Sequence, residues 1–279
     1  MPQSSGRQTL RVYISADMEG ISSVSGWPDV TPDTPGHEIA RHWMTADVNA
    51  AIAGAREAGA DEFLVNDGHW KHRNIVPDEL DPGAELVSGW AKPLGMVAEI
   101  DTGWDVACFV GFHARYGVRD GLMGHTLSDD CFRDVRVNGH SANEAELCAA
   151  VAGEFDVPVV MLSGDTALER EAKRFLPDAE VAVVKTGLEY ETARMLHPEV
   201  SRARIREAAR RGVTERSGNS PYRVSAPCVI EAEYQKVGVA TLACSIPTVE
   251  RVDAVTVRYE AGDMVTAFKL LRVLLKLGE

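Results

Sequence analysis

Short apolar runs alternate along this chain with longer stretches whose apolar residues recur every three or four positions. Residues 10–17, LRVYISAD, predict a strand, β-branched and ending in polar residues. Residues 18–36 predict an irregular stretch, punctuated by Gly20, Gly26, Pro28, Pro32, Pro35 and Gly36. From 37 to 58, Ala40, Trp43, Met44, Val48, Ala51, Ala55 and Ala58 recur at helical steps, and Gly59 supplies the stop. Further strands are predicted over 62–66, 84–88, 104–112, 157–163 and 181–185, with helices over 141–154, 165–175, 188–196 and 199–211. Such alternation predicts an α/β fold with a largely parallel central sheet and flanking helices. The character then changes. Cys228, Ile230, Ala232 and Tyr234 alternate with polar residues, as do Val255, Val257 and Tyr259, which predicts half-buried antiparallel strands. Asp263 is placed to cap a last helix with an apolar face of Met264, Ala267, Phe268, Leu271, Leu274 and Leu275. The expected organisation is a disordered start at 1–9, an α/β core over 10–220, and a C-terminal β-rich portion with its helix over 221–279, packed on the core.

A chain of 279 residues buries on the order of 75% of its unfolded surface, so its core needs neither disulfide nor metal. Charge narrows the functional classes. With 29 basic and 42 acidic residues, the net charge is −13, which argues against a protein that tracks nucleic-acid phosphates or docks on an anionic membrane. No apolar run approaches 18 residues, the length of a membrane span, and MPQSSGRQTL does not read as a signal peptide. The five cysteines are scattered without a CxxC pair; Cys108, Cys148 and Cys244 sit in apolar runs, and a reducing cytoplasm is the expected compartment.

Three predicted strands end in residues able to bind a ligand: Asp17-Met18-Glu19, Asp67-Gly68-His69 and Gly111-Phe112-His113. Open α/β sheets bind ligands outside the carboxyl ends of their strands, and neighbouring strands lie only about 4.8 Å apart. Asp17 and Glu19 point to the same side of an extended chain, with Met18 turned the other way. Two carboxylates with two imidazoles form a mixed set that suits zinc, and manganese or iron less selectively. Glu144 adds a further acid after the NG turn. With Asp17 shared, five such ligands can hold two metals roughly 3.5–4 Å apart.

Each motif alone has a plainer explanation. A D-x-E pair can be a solvated turn, NDGH a turn signal, His113 a core histidine, and Glu144 a residue favoured in a helix's first turn by the macrodipole. Their repetition at one edge of the sheet argues for a site. His125, in GLMGHTLSDD, is open to three readings: a third imidazole ligand, a general acid or base, or a surface residue. His37, His42, His72, His140 and His197 are expected to face mostly solvent, with His72 and His140 near the motifs. Asp165 is placed as a helix cap, Lys185 either neutralises an acidic crevice or snorkels to the surface, and the arginines at 202–211 form a solvated helix face.

Taken in order, SADMEG, the helix RHWMTADVNAAIAGAREAGA, NDGH with Asn74, LVSGW, DVACFVGFHA, GHT, NG followed by Glu144, SGD, APCVIEAE and IPTVERVDAVTV resemble the D-aminopeptidases of the dipeptide-transport type, metallopeptidase family M55. The resemblance spans residues 10–277. It implies a zinc aminopeptidase acting on short peptides with an N-terminal D-residue of the D-Ala type. Carried over by motif, it implies two zinc ions held by Asp17, Glu19, His69, His113 and Glu144, with His125 as the catalytic residue. It also implies a ten-subunit, self-compartmentalising homo-oligomer. The bulky Trp70-Lys71-His72 after the NDGH histidine departs from the family pattern and bears on substrate preference; Gly68, where the family carries another small residue, does not. The competing readings are another dimetal amidase or phosphoesterase, and a non-catalytic protein that binds metal or peptide.

Overall fold

The structure, a computed structural model, describes residues 9–278, so the expected disordered start lies, but for Thr9, outside the described residues. The chain opens with β1 (Arg11–Ala16), a short turn of helix α1 (Trp27–Val30) and the long α2 (Pro35–Glu57). Thr34 caps α2 by accepting the His37 N–H, and Pro35 stands in the first turn, where its missing N–H costs nothing. Strands β2 (Glu62–Asp67), β3 (Ala84–Val87) and β4 (Val106–Val110) follow. The chain then makes β5 (Phe132–Val137), β6 (His140–Ser141), α3 (Glu144–Glu154), β7 (Val159–Asp165) and α4 (Thr166–Phe175). Next come β8 (Glu180–Glu189), β9 (Thr192–Met195) and α5 (Pro198–Thr214). The remainder is β10 (Cys228–Tyr234), α6 (Val237–Ala243), β11 (Glu250–Arg251), β12 (Thr256–Ala261) and α7 (Met264–Gly278).

Seven strands form one sheet in the order β3-β2-β1-β4-β7-β8-β9, parallel except for the last pair. The path runs outward from β1 to β3, then returns to lay β4 on the other side of β1. This reversal opens a crevice beyond the carboxyl ends of β1 and β4, the place where such sheets bind ligands. Period-two alternation divides the core. Val12, Ile14 and Ala16 of β1 pack with α2 and α5, while Tyr13 belongs to the core shared with α3, α7 and the second sheet.

That second sheet is antiparallel, in the order β11-β12-β10-β5-β6, so it draws two strands from residues 132–141. Helix α7 buries Met264, Ala267, Phe268, Leu271, Leu274 and Leu275, and Asp263 caps it by accepting the Thr266 N–H at 2.6 Å. Two buried tyrosines tie this helix to the sheet: Tyr259 donates to the Ala267 carbonyl at 2.7 Å and Tyr234 to that of Leu274 at 3.1 Å. Among the described residues no helix is long and apolar enough to cross a membrane.

One predicted element takes another form. Residues 188–196, expected as helix, form the end of β8, a tight turn and β9, which pairs back in the register Gly187↔Ala193. Local helical spacing yields here to the pairing energy of a free sheet edge. The hairpin tip reaches the crevice: Tyr190 accepts the Met123 N–H at 2.7 Å and its ring lies 6.5 Å from that of Trp27.

Candidate metal centre

Close approach of two backbones builds the centre. The Asp17 N–H donates to the Val110 carbonyl and the Gly20 N–H to the Gly111 carbonyl, both at 2.8 Å. A Cβ on Gly20 would stand 1.9 Å from the Phe112 oxygen, so only glycine lets the SADMEG turn lie against the end of β4. Met18 is buried in the core beneath, and the carboxylates of Asp17 and Glu19 face the crevice side by side.

The second strand delivers His69 through a braced loop. Asp67 accepts the backbone N–H of Asn74 at 2.5 Å, its side-chain N–H at 2.7 Å and the N–H of Ile75 at 2.8 Å. Asn74 also donates to the His69 carbonyl, and its side-chain oxygen meets His37 Nε2 at 3.0 Å. His37 and His72, expected at the surface, are therefore buried: His37 is part of this brace, and His72 sits at 3% exposure in the crevice wall. His113 follows β4 directly. Glu144 is the first residue of α3, whose cap Asn143 accepts the Glu146 N–H.

The structure brings all six expected side chains together, each at 8% exposure or less. Asp17 Oδ1 lies 3.4 Å from His69 Nδ1, and Asp17 Oδ2 lies 3.4 Å from His113 Nε2. Glu19 Oε2 is 3.1 Å from His69 Nδ1. Glu144 Oε1 is 3.5 Å from both His113 Nε2 and His125 Nε2, and the rings of these two histidines stack at 4.3 Å. Two overlapping sets emerge, Asp17-Glu19-His113 and His113-His125-Glu144, with donor atoms in each within 4.8 Å of one another.

Each imidazole has its other nitrogen engaged by a backbone carbonyl. His69 Nε2 bonds Val30 O at 2.8 Å, His113 Nδ1 bonds Ala114 O at 2.9 Å, and His125 Nδ1 bonds Met123 O at 2.8 Å. A neutral imidazole that uses its one N–H outward presents a lone pair inward, as metal-ligating histidines do. Among the described residues, Asp17 Oδ2, Glu19 Oε2 and His113 Nε2 are buried without a hydrogen-bond partner. Buried polar atoms seldom stay unpaired, so this donor-poor cluster fits a cation.

Electrostatics agree. Burial, then the neighbouring Glu19, push the Asp17 carboxyl up to about 7. Burial opposes charge on His113, but Glu144 and Asp17 outweigh it and raise the ring to about 10. His69 moves up in the same sense against burial, through Glu19 and Asp17, while His69 holds Glu19 well below the usual carboxylate range. In the absence of a cation, the crowded carboxylates thus draw protons onto His69 and His113.

Above the cluster opens a cavity of about 930 Å³. Its walls include Trp27, whose ring lies 5.8 Å from His125, Trp90 of the LVSGW segment, and Arg272 and Lys276, which belong to no motif. Lys185 does not snorkel to the surface: it is fully buried and donates to the carbonyls of Glu19, Ile21 and Val24. Asp165 caps α4 through the Leu168 N–H and also accepts the Leu122 N–H, which steadies the loop carrying His125.

Paired carboxylates and imidazoles at a sheet switch point, beneath a deep cleft, define the class of α/β metallohydrolases. A profile described as Peptidase M55, D-aminopeptidase, matches residues 10–273. The chain is 32% identical over 270 residues to a D-aminopeptidase of Bacillus subtilis strain 168, covering 96% of this chain and 98% of that one. Its fold superposes with a TM-score of 0.92 on the solved Zn-dependent D-aminopeptidase DppA from Bacillus subtilis, described as a self-compartmentalizing protease, at 32% identity and the same coverage. The chain belongs to the M55 D-aminopeptidase family and is a peptidase.

Proposed function

We propose that this protein is a zinc-dependent aminopeptidase that cleaves the N-terminal peptide bond of short peptides beginning with a D-residue of the D-Ala type. The observation that carries the proposal is Asp17, which directs one oxygen toward His69 and the other toward His113. A carboxylate placed in this way would be positioned to serve two cations. Asp17, Glu19 and His69 would hold one zinc; Asp17, His113 and Glu144 would hold the other. When bound, zinc supplies Lewis acidity and a lowered pKa for water.

His125 has the catalytic role in this reading. Its Nδ1–H is committed to the Met123 carbonyl, which leaves Nε2 to accept and return a proton beside the reacting carbonyl, or, once protonated, to stabilise the oxyanion. The loops at 20–36 and 70–76 wall the cleft and select the D-configuration, with Trp27 and Trp70 as their largest members. The bulky Trp70 and His72 tune preference among D-residues. Likeness to a self-compartmentalizing protease supports a closed homo-oligomer, a decamer by the family pattern, and five free cysteines support the cytoplasm.

The test is a panel of D- and L-alanyl peptides, D-amino acid amides and phosphate esters, assayed with zinc and after chelation. Zinc-dependent hydrolysis of the D-alanyl peptides alone is expected. Preferred hydrolysis of phosphate esters, or tight peptide binding without turnover in the fully metallated protein, overturns the proposal. Sedimentation tests the assembly, and a monomer removes the chamber.

A further inference from the structure

The wall of the cleft runs against the charge of the chain. In a protein with 42 acidic and 29 basic residues, the described residues that line the cleft beyond the metal cluster include Lys71, Arg73, Lys236, Arg272 and Lys276, with Asp129 and Asp130 as the acidic members. These cations come from three separate segments, the 70–76 loop, the start of α6 and helix α7, so no single local sequence preference explains their meeting. Two of them are held in place. Lys276 lies 3.7 Å from the ring centroid of Trp90, and the Arg272 guanidinium packs on Gly95, where even a Cβ would come within 1.9 Å of it. His72 also lines this wall, edge-on to Trp90 at 6.4 Å. Among the described residues its buried Nδ1 has no hydrogen-bond partner, although the ring lines the cleft.

Resting on the aminopeptidase reading, we infer that this wall is a carboxylate subsite: Arg272 and Lys276 receive the free C-terminal carboxylate of the substrate. The cleft then has two unlike ends. The metal cluster takes the amino end and the scissile carbonyl, and the cationic wall takes the terminal carboxylate. An arginine is suited to this task because its planar fork matches a carboxylate with two parallel bonds. Trp70 and Trp90, exposed at 47% and 46%, flank the subsite and give apolar contact to the second side chain. The substrate class is thereby narrowed to peptides of two or three residues with a free carboxylate, at the expense of amides and long chains.

The test compares D-alanyl-D-alanine with its C-terminal amide on the zinc-loaded protein. A hydrogen bond to a charged group corresponds to about ten-fold or more in affinity, so kcat/KM for the acid should exceed that for the amide by at least about ten-fold. Arg272→Met should reduce this ratio about ten-fold, mainly through KM, and Lys276→Met should reduce it by several fold. The second variant alters an exposed side chain and keeps the test open if loss of the Arg272 packing impairs folding. Raised salt should also shrink the ratio, by screening. Turnover of both compounds at equal kcat/KM, or a ratio unchanged in both variants, overturns the subsite alone. No turnover of either compound overturns the aminopeptidase reading and the subsite with it.

Discussion

The Lys185 ammonium donates to the backbone carbonyl of Glu19 at 2.6 Å, directly behind the residue whose carboxylate faces the candidate metal centre. Two more carbonyls of the same turn, Ile21 at 2.9 Å and Val24 at 2.7 Å, converge on it. Burial pushes this lysine down to about 8, with Asp165 and Glu19 acting the other way, so it remains charged at neutral pH. It is a buried pin that sets the curvature of the SADMEG turn. Lys185→Met leaves the three carbonyls without their donor, at about 1–3 kcal/mol for each one that stays buried. Support of this kind is worth about 10–100-fold in metal affinity. We expect a lower Tm and weaker zinc retention in competition with a chelator. Wild-type values for both would show that the turn holds itself.

Asp17 differs from the other carboxylates because it addresses both halves of the cluster. Asp17→Asn should therefore remove both metals, whereas Glu19→Gln and Glu144→Gln should each weaken one more than the other. Metal content per subunit, measured after dialysis, reads this directly. Equal loss in all three variants would contradict the bridging arrangement.

His125 lies close enough to Glu144 and His113 to compete for the role of ligand. As a proton carrier it should be dispensable for metal content. His125→Ala is expected to retain zinc and to lose about 10²–10⁴-fold in kcat. Loss of one zinc per subunit would make it a ligand instead.

Proton linkage gives a further check. Asp17 stands at about 7 and His113 at about 10 in the metal-free protein, both above their ordinary values. Metal must displace those protons, so zinc affinity should rise with pH from about 7 to about 10 and level off above. The same two groups stabilise the metal-free fold below their ordinary values, and that contribution is lost as pH rises through 7 and then 10. Tm of the metal-free protein should fall from pH 3.8 toward 7 through Asp17 and from 6.5 toward 10 through His113, while the zinc-loaded protein should not follow it. Calorimetry at pH 8, in buffers of different ionisation enthalpy, should show release of about one to two protons on zinc uptake. Uptake without proton release would contradict this account.

The carboxyl edge of the sheet was legible because buried parallel strands are apolar throughout, which makes the first polar residue after each run conspicuous. His113 stands out for that reason, and Asp17 and His69 stand out within the polar segments SADMEG and NDGH that end the first two runs. Strand β5 did not, although Phe132, Val135 and Val137 are its buried residues. Its exposed side carries Arg136, which bridges Asp134, Glu231 and Glu233 at 2.8–3.2 Å, and the charges mask the alternation. The cleft wall was hidden for a different reason. Trp90, Arg272 and Lys276 lie far apart in the chain and in segments with ordinary local explanations, and only the packing of α7 brings them to one surface. Lys185 and His37 show the same limit, since a buried polar residue is recognised by its partners and not by its neighbours in sequence.

The two-metal aminopeptidase account is tested most directly by adding zinc back to fully chelated protein while following hydrolysis of D-alanyl-D-alanine. Turnover should be absent without metal and should climb to a plateau at two equivalents of zinc per subunit. Full turnover in the metal-free protein, or a plateau reached without any zinc requirement, would contradict it.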